Sequence, residues 1–179
     1  MSIGFTFDSI HSSEFGVYLK SVDRTLLPAK RLTQYTVPGK SGTYDVVHGY
    51  ENRTIQCIIG FTGDDYSREG LRQKAREVSQ WLSGEGDLVF DDELDKAYVG
   101  KVIAGINIEE VARTGKCNVA FMCNSFAYSV EYCNASINGA VLPETVDVNV
   151  LGTQETPCNI YILAKENIEK ITITKKTVR

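Results

Sequence analysis

The 179-residue sequence predicts a mainly β fold of the α+β kind. It reads as an antiparallel β-sandwich or split barrel with one helix and an extended hairpin arm, followed by a shorter second β-rich segment. Three observations predict this. Apolar residues recur with period two along most of the chain, the mark of half-buried antiparallel strands. One stretch, Ser67 to Leu82, instead spaces its apolar residues as a helix does. Pro38-Gly39 marks a tight turn between two strand-like tracts that carry few strongly apolar residues.

The elements follow in order. Phe15 to Val22 is an apolar-rich strand with Gly16 inside it. Leu32 to Val37 and Tyr44 to Val47 flank Pro38-Gly39, with proline at the second and glycine at the third position of a type II turn. The tip continues through Lys40, Ser41 and Gly42. Such an arm cannot bury itself alone and is predicted to lie against another surface, in the same chain or a neighbour. Pro38, Gly39, Lys40, Ser41, Gly42 and Tyr44 are therefore the candidate oligomer-interface residues. Thr54 to Phe61 puts Ile55, Cys57, Ile59 and Phe61 on one face.

In the helix, Ser67 is placed to cap, and Leu71, Ala75, Val78 and Leu82 form one stripe that Trp81 widens. Gly84 is expected to end it in the left-handed conformation. Arg68, Arg72 and Arg76 read as a solvated row, with Glu69 and Glu77 within reach of Arg72 and Lys74. Leu88 to Phe90 starts a hairpin whose acidic turn, Asp91-Asp92-Glu93-Leu94-Asp95, leads to Tyr98. Val102, Ala104, Ile106 and Ile108 alternate as a strand would, as do Cys117, Val119, Phe121 and Cys123. A boundary near Tyr132 divides 1–132 from 133–179, where Val146, Val148, Val150, Ile171 and Ile173 alternate. A segment that short rarely buries enough surface to stand alone.

Composition narrows the function. Hydrophobic residues make up 42% and charged residues 23%, and no apolar run is long enough for a membrane-spanning helix. A net charge of -4 argues against a nucleic-acid binder. Five cysteines and a start, Met1-Ser2-Ile3-Gly4-Phe5, without a basic or apolar leader point away from a disulfide framework and towards synthesis in the cytosol. The cysteine spacings, with His11 and His48 distant in sequence, predict no metal site. Gly39-Lys40-Ser41 lacks the glycine of a phosphate-binding loop, since Gln34 stands in its place. The acidic turn reads as solvated rather than calcium-binding. No nucleophile elbow accompanies either histidine. The expectation is no catalysis, no cofactor and no metal.

Several segments together carry a resemblance. They are Phe15-Gly16-Val17-Tyr18-Leu19, Val37-Pro38-Gly39-Lys40-Ser41-Gly42, Tyr50-Glu51-Asn52-Arg53-Thr54-Ile55, the helix ending Gln80-Trp81-Leu82, Leu88-Val89-Phe90-Asp91-Asp92 with Tyr98-Val99-Gly100-Lys101-Val102, and Val119-Ala120-Phe121-Met122-Cys123. In this order they resemble the distal tail proteins of siphophages. Asn149 to Pro157 resembles the opening of that family's C-terminal sandwich, and the resemblance implies an incomplete second β-sandwich segment over 133–179. One departure is Asn124-Ser125-Phe126, which stands where the family commonly has a proline. The resemblance implies a structural subunit of a virion tail tip or baseplate, made in the bacterial host cytoplasm and encoded by a phage or prophage. It implies a hexameric ring of N-terminal domains joining the tail tube to tail-associated or receptor-binding proteins, with DNA passing through and not specifically bound. A carbohydrate-binding β-sandwich module and a tail-tube-like ring protein are the alternatives.

Overall fold

The computed structural model describes residues 4–62, 67–104, 106–138, 145–149, 152–154, 156–163 and 169–174. They belong to two compact units, Met1–Asn134 and Ala135–Arg179.

The first unit is built on one antiparallel sheet. Strand β1 (Phe5–Phe7) turns through Asp8 and Ser9 into β2 (Ile10–His11). Both turn residues have positive φ, 48° and 68°. That is the turn hand whose twist matches a two-residue hairpin. A 3-10 turn, Ser12–Phe15, ends at Gly16 in the left-handed conformation, and β3 (Val17–Arg24) begins there. The strand predicted from Phe15 thus starts two residues later, because Phe15 closes the 3-10 turn. Next come the arm strands, β4 (Lys30–Thr36) and β5 (Thr43–Tyr50), which form a separate two-stranded sheet. Strand β6 (Arg53–Phe61), helix α1 (Arg68–Trp81), and strands β7 (Glu85–Phe90) and β8 (Glu93–Val102) follow. Helix α2 (Ile108–Thr114), β9 (Lys116–Cys123) and β10 (Tyr128–Ser129) complete the unit. The main sheet runs β2-β1-β7-β8-β9-β6-β3, and β10 pairs with β8.

This sheet is strongly curled. In sheet order β1 and β9 are three ladders apart, roughly 14 Å across a flat sheet. Yet Phe5 and Phe7 of β1 lie with their ring centroids 6.0 and 5.7 Å from that of Phe121 on β9. Only a sheet that wraps round can bring those faces together, so the unit is a half-closed β-barrel filled from inside. Phe5, Phe7, Ile55, Ile59, Leu88, Phe90, Val119 and Phe121 form its centre. Helix α1 adds Leu71, Ala75 and Val78 to the core. Trp81 stacks on Phe15 at 4.7 Å and on Phe5 at 5.5 Å, and its Nε1–H donates to the Phe7 carbonyl at 3.1 Å.

Most of the alternating tracts occupy the faces they predict: Ile55, Cys57, Ile59 and Phe61 point inward, as do Cys117, Val119, Phe121 and Cys123. Four expectations need correction. The tract from Val102 to Ile108 is not a continuous strand, because β8 stops at Val102 and α2 starts at Ile108. Asn107 accepts from the amides of Glu109 and Glu110, and Gly115 ends the helix at φ 64°. These cap signals outweigh four alternating apolar residues. Gly84 does not end α1; the Leu82 amide donates instead to the Val78 and Gln80 carbonyls. Arg72 leaves Glu69 and bonds Glu109 of α2 at 2.7 and 2.9 Å, and Glu77 accepts from Gln73 at 3.1 Å. In the second unit no described residue belongs to a strand. Val146 and Val148 are exposed there, and Val150 lies outside the described residues. Alternation gives a strand one apolar face, but a ladder also needs a partner edge.

Candidate assembly surface

The arm stands away from the core. Every residue of β4 and the first six of β5 are exposed. Two-stranded hairpins of this kind are marginal alone. The Val37–Lys40 turn closes with the Lys40 amide on the Val37 carbonyl at 3.1 Å, Pro38 second and Gly39 third, at φ 79°. This is the type II turn the sequence predicts. Ser41 and Gly42, the latter at φ 91°, bring the chain into β5.

Register gives the arm two unlike faces. Tyr35 opposes Tyr44, and Thr33 opposes Val46. Tyr35 and Tyr44 are 54% and 51% exposed, a cross-strand aromatic pair with no cover. Lys40 reaches back over the Tyr44 ring, its Nζ 4.4 Å from the centroid, and donates to the Tyr44 hydroxyl. His48 bonds Thr33 at 2.8 Å. On the opposite face Gln34 donates to Asp45 at 3.1 Å and Thr43 to the same carboxylate at 3.4 Å. One face carries these polar bonds towards the tip, with Leu32 opposite Val47 nearer the root; the other offers two tyrosines, Val46 and a cation. The six predicted residues are thus together at the outer end of the arm. Tyr35 and Val46, which complete the apolar face, were not among them. The register between the strands, which sequence spacing leaves open, is what places them there.

The polar side chains elsewhere are held by local bonds. His11 Nδ1 accepts from the Ser13 amide at 3.2 Å and contacts the Ser13 hydroxyl at 2.7 Å, while Nε2 lies 3.1 Å from Asp91. Serine, histidine and aspartate are in line, but the imidazole caps the 3-10 turn with the nitrogen a nucleophile would need. The Gly4 amide donates to the same Asp91 carboxylate at 2.6 Å. Arg24 bonds both Asp92 and Glu93, the latter at 3.2 Å, and lies 4.8 Å over the Phe90 ring. The acidic turn is exposed at Asp91, Asp92, Leu94 and Asp95, as its composition suggests, and Asp91, Asp92 and Glu93 also tether it to other parts of the unit. Among the described residues no group of three or more histidine, cysteine, aspartate or glutamate side chains is gathered as a metal site.

Arg53 is the one buried cation of the unit's described core. Its Nε and Nη2 donate to the Ser125 carbonyl at 3.0 and 2.7 Å, and its guanidinium lies 5.4 Å over the Tyr98 ring. Burial, and the bond the Tyr98 hydroxyl donates to Glu93 at 2.9 Å, push the phenol above its ordinary ionisation range. Three thiols are likewise closed in: burial pushes Cys57 and Cys117 up to about 12 and Cys123 to about 11.

Comparison with known proteins agrees with this architecture. No curated protein sequence matches the chain. Among solved structures, the fold resembles the SPP1 Dit (gp 19.1) protein, described as a paradigm of the hub adsorption apparatus in phages infecting Gram-positive bacteria. The TM-score is 0.62 at 15% identity, over 75% of this chain. The match spans 55% of the SPP1 protein, about half its length. A family model, the phage tail protein RIFT-related domain, matches residues 11–123, from β2 through the arm to the end of β9. The chain belongs to the family of phage tail proteins built on this RIFT-related domain.

Proposed function

We propose that this tail protein is a structural ring subunit of the tail tip, six copies closing into a hexamer through their arms. The observation that carries the reading is the arm: two strands of seven and eight residues, exposed in their own subunit at every position but Gly49 and Tyr50 at the root. An exposed hairpin with an apolar face is an aggregation hazard unless a partner covers it. Head-to-tail contacts between identical subunits cover it once per copy and close when the rotation does. The face carrying Tyr35, Tyr44, Val46 and Lys40 is the side that docks, with Pro38 to Gly42 inserted at its end.

In this reading the ring joins the tail tube above to tail-associated or receptor-binding proteins below. The subunit is made in the bacterial host cytoplasm and ends in the virion tail tip. DNA passes through the ring without being specifically bound, in keeping with the net charge of -4. The carbohydrate-binding alternative draws little from Trp81, which is stacked between Phe5 and Phe15 instead of facing a sugar.

The test replaces residues 32–47 with a short glycine turn. The expected result is a chain that unfolds at the wild-type temperature and forms no rings under conditions where wild type does. Normal rings from the shortened chain would contradict an arm-built ring.

A further inference from the structure

We propose that Arg53 pins a bracket tying the root of the arm to the bend at residues 124–127, so that the arm and the passage into the second unit are held as one piece. The proposal that this matters in a ring rests on the assembly reading above; the bracket itself lies within one subunit.

Three stretches of chain meet at this point. The first is the entry to the arm, where the Leu26 carbonyl accepts from Arg53 Nη2 at 3.5 Å. The second is the exit, where Tyr50 pairs with Lys30 and the Glu51 amide donates to the Ala29 carbonyl at 2.8 Å. The third is the bend after β9. There the Ser125 carbonyl takes two bonds from Arg53, the Ser125 hydroxyl donates to the Tyr50 carbonyl at 3.4 Å, and the Phe126 ring meets the Tyr50 ring edge-on at 4.9 Å.

The chemistry explains why a buried arginine stands here. Its planar fork can grip one carbonyl with two donors and still reach a second, while the Tyr98 face covers it. A lysine offers one point. The bend has no proline to fix its path, so bonds from elsewhere fix it: the Asn124 amide to the Val99 carbonyl at 2.9 Å, and the Val130 amide to the Asp95 carbonyl at 3.1 Å. Between them β10 runs along β8, Tyr128 opposite Ala97 and Ser129 opposite Lys96. From there the chain continues into the second unit. A neighbour that fixes the direction of the arm would therefore also fix the bend from which that unit departs.

Amide hydrogen exchange on the full chain, dilute enough to be monomeric, tests this. Phe126→Ala removes a ring on the bend; Tyr50→Leu removes its partner at the arm root. The bracket requires reciprocity. Phe126→Ala should speed exchange of the Glu51 amide, and Tyr50→Leu that of the Val130 amide, each by about tenfold. Amides at the centre of β6 should be unchanged. Arg53→Lys should speed both. Acceleration confined to the mutated side overturns the bracket. Acceleration spread evenly through β6 and β9 also overturns it, since the contacts would then supply only general stability. A monomer that shows the reciprocal effect but never forms rings keeps the bracket and removes the ring.

Discussion

Gly39 has open space around its missing side chain, yet its φ of 79° is one that a β-branched residue resists. Gly39→Val should therefore strain the tip by about 1–3 kcal/mol without a clash. Because the arm is exposed, thermal unfolding of the monomer should not move while ring assembly fails. Gly100 is the opposite case. A Cβ there would come within 2.5 Å of the Met122 carbonyl and 2.9 Å of the Cys123 Cα, backbone that cannot step aside. Gly100→Ala should cost about 1–3 kcal/mol, read as a lower denaturant midpoint. The cysteines give a third test. Cys133 and Cys158 are exposed and should react with a thiol reagent at once, whereas Cys57, Cys117 and Cys123 should react only on unfolding. The three buried thiols also set an alkaline limit. Folding raises them from an ordinary 9.0 to about 11 or 12, so above pH 9 the unfolded chain loses their protons first. Their contribution is complete below that pH and falls by at most about 1.4 kcal/mol per pH unit for each thiol as pH rises. Stability that holds flat from pH 8 to 10.5 would contradict this.

The elements differ in how plainly the sequence shows them. Helix α1 is legible because cap and stripe agree: Ser67 accepts from the Gly70 amide at 3.0 Å, and Leu71, Ala75 and Val78 are buried. Ser67→Ala should lower stability by about 1 kcal/mol, measured by chemical denaturation. Strands β6 and β9 are legible for the same reason, since each buries one face along its whole length. Helix α2 is hidden because its seven residues follow an alternating tract; its signal was the pairing of Asn107 with Gly115 at its two ends. The arm shows in its turn residues, but the register that matches Tyr35 with Tyr44 is set by the length of the whole loop 37–42, and a bulge between Arg31 and Leu32 shifts it again at the root. Long-range tethers are the least legible. His11 to Asp91, Arg24 to Asp92 and Arg53 to Ser125 join residues 68 to 80 positions apart. No local pattern in a single sequence encodes such pairs.

At the scale of the molecule, the curled sheet and α1 close one core within Met1–Asn134. A chain ending at Asn134 should thus fold alone, with a cooperative transition close to that of the full protein. An early or broad transition would show that the second unit is needed. What the first unit does not close is the arm, and the account turns on what covers it. Electron microscopy of the full chain at high concentration, and of assembled tails, is the most direct measurement. The account predicts six-fold rings of about 119 kDa, six copies of a 19.8 kDa chain. A chain that stays monomeric at high concentration, together with tails that hold no six-fold ring of this protein, would contradict it.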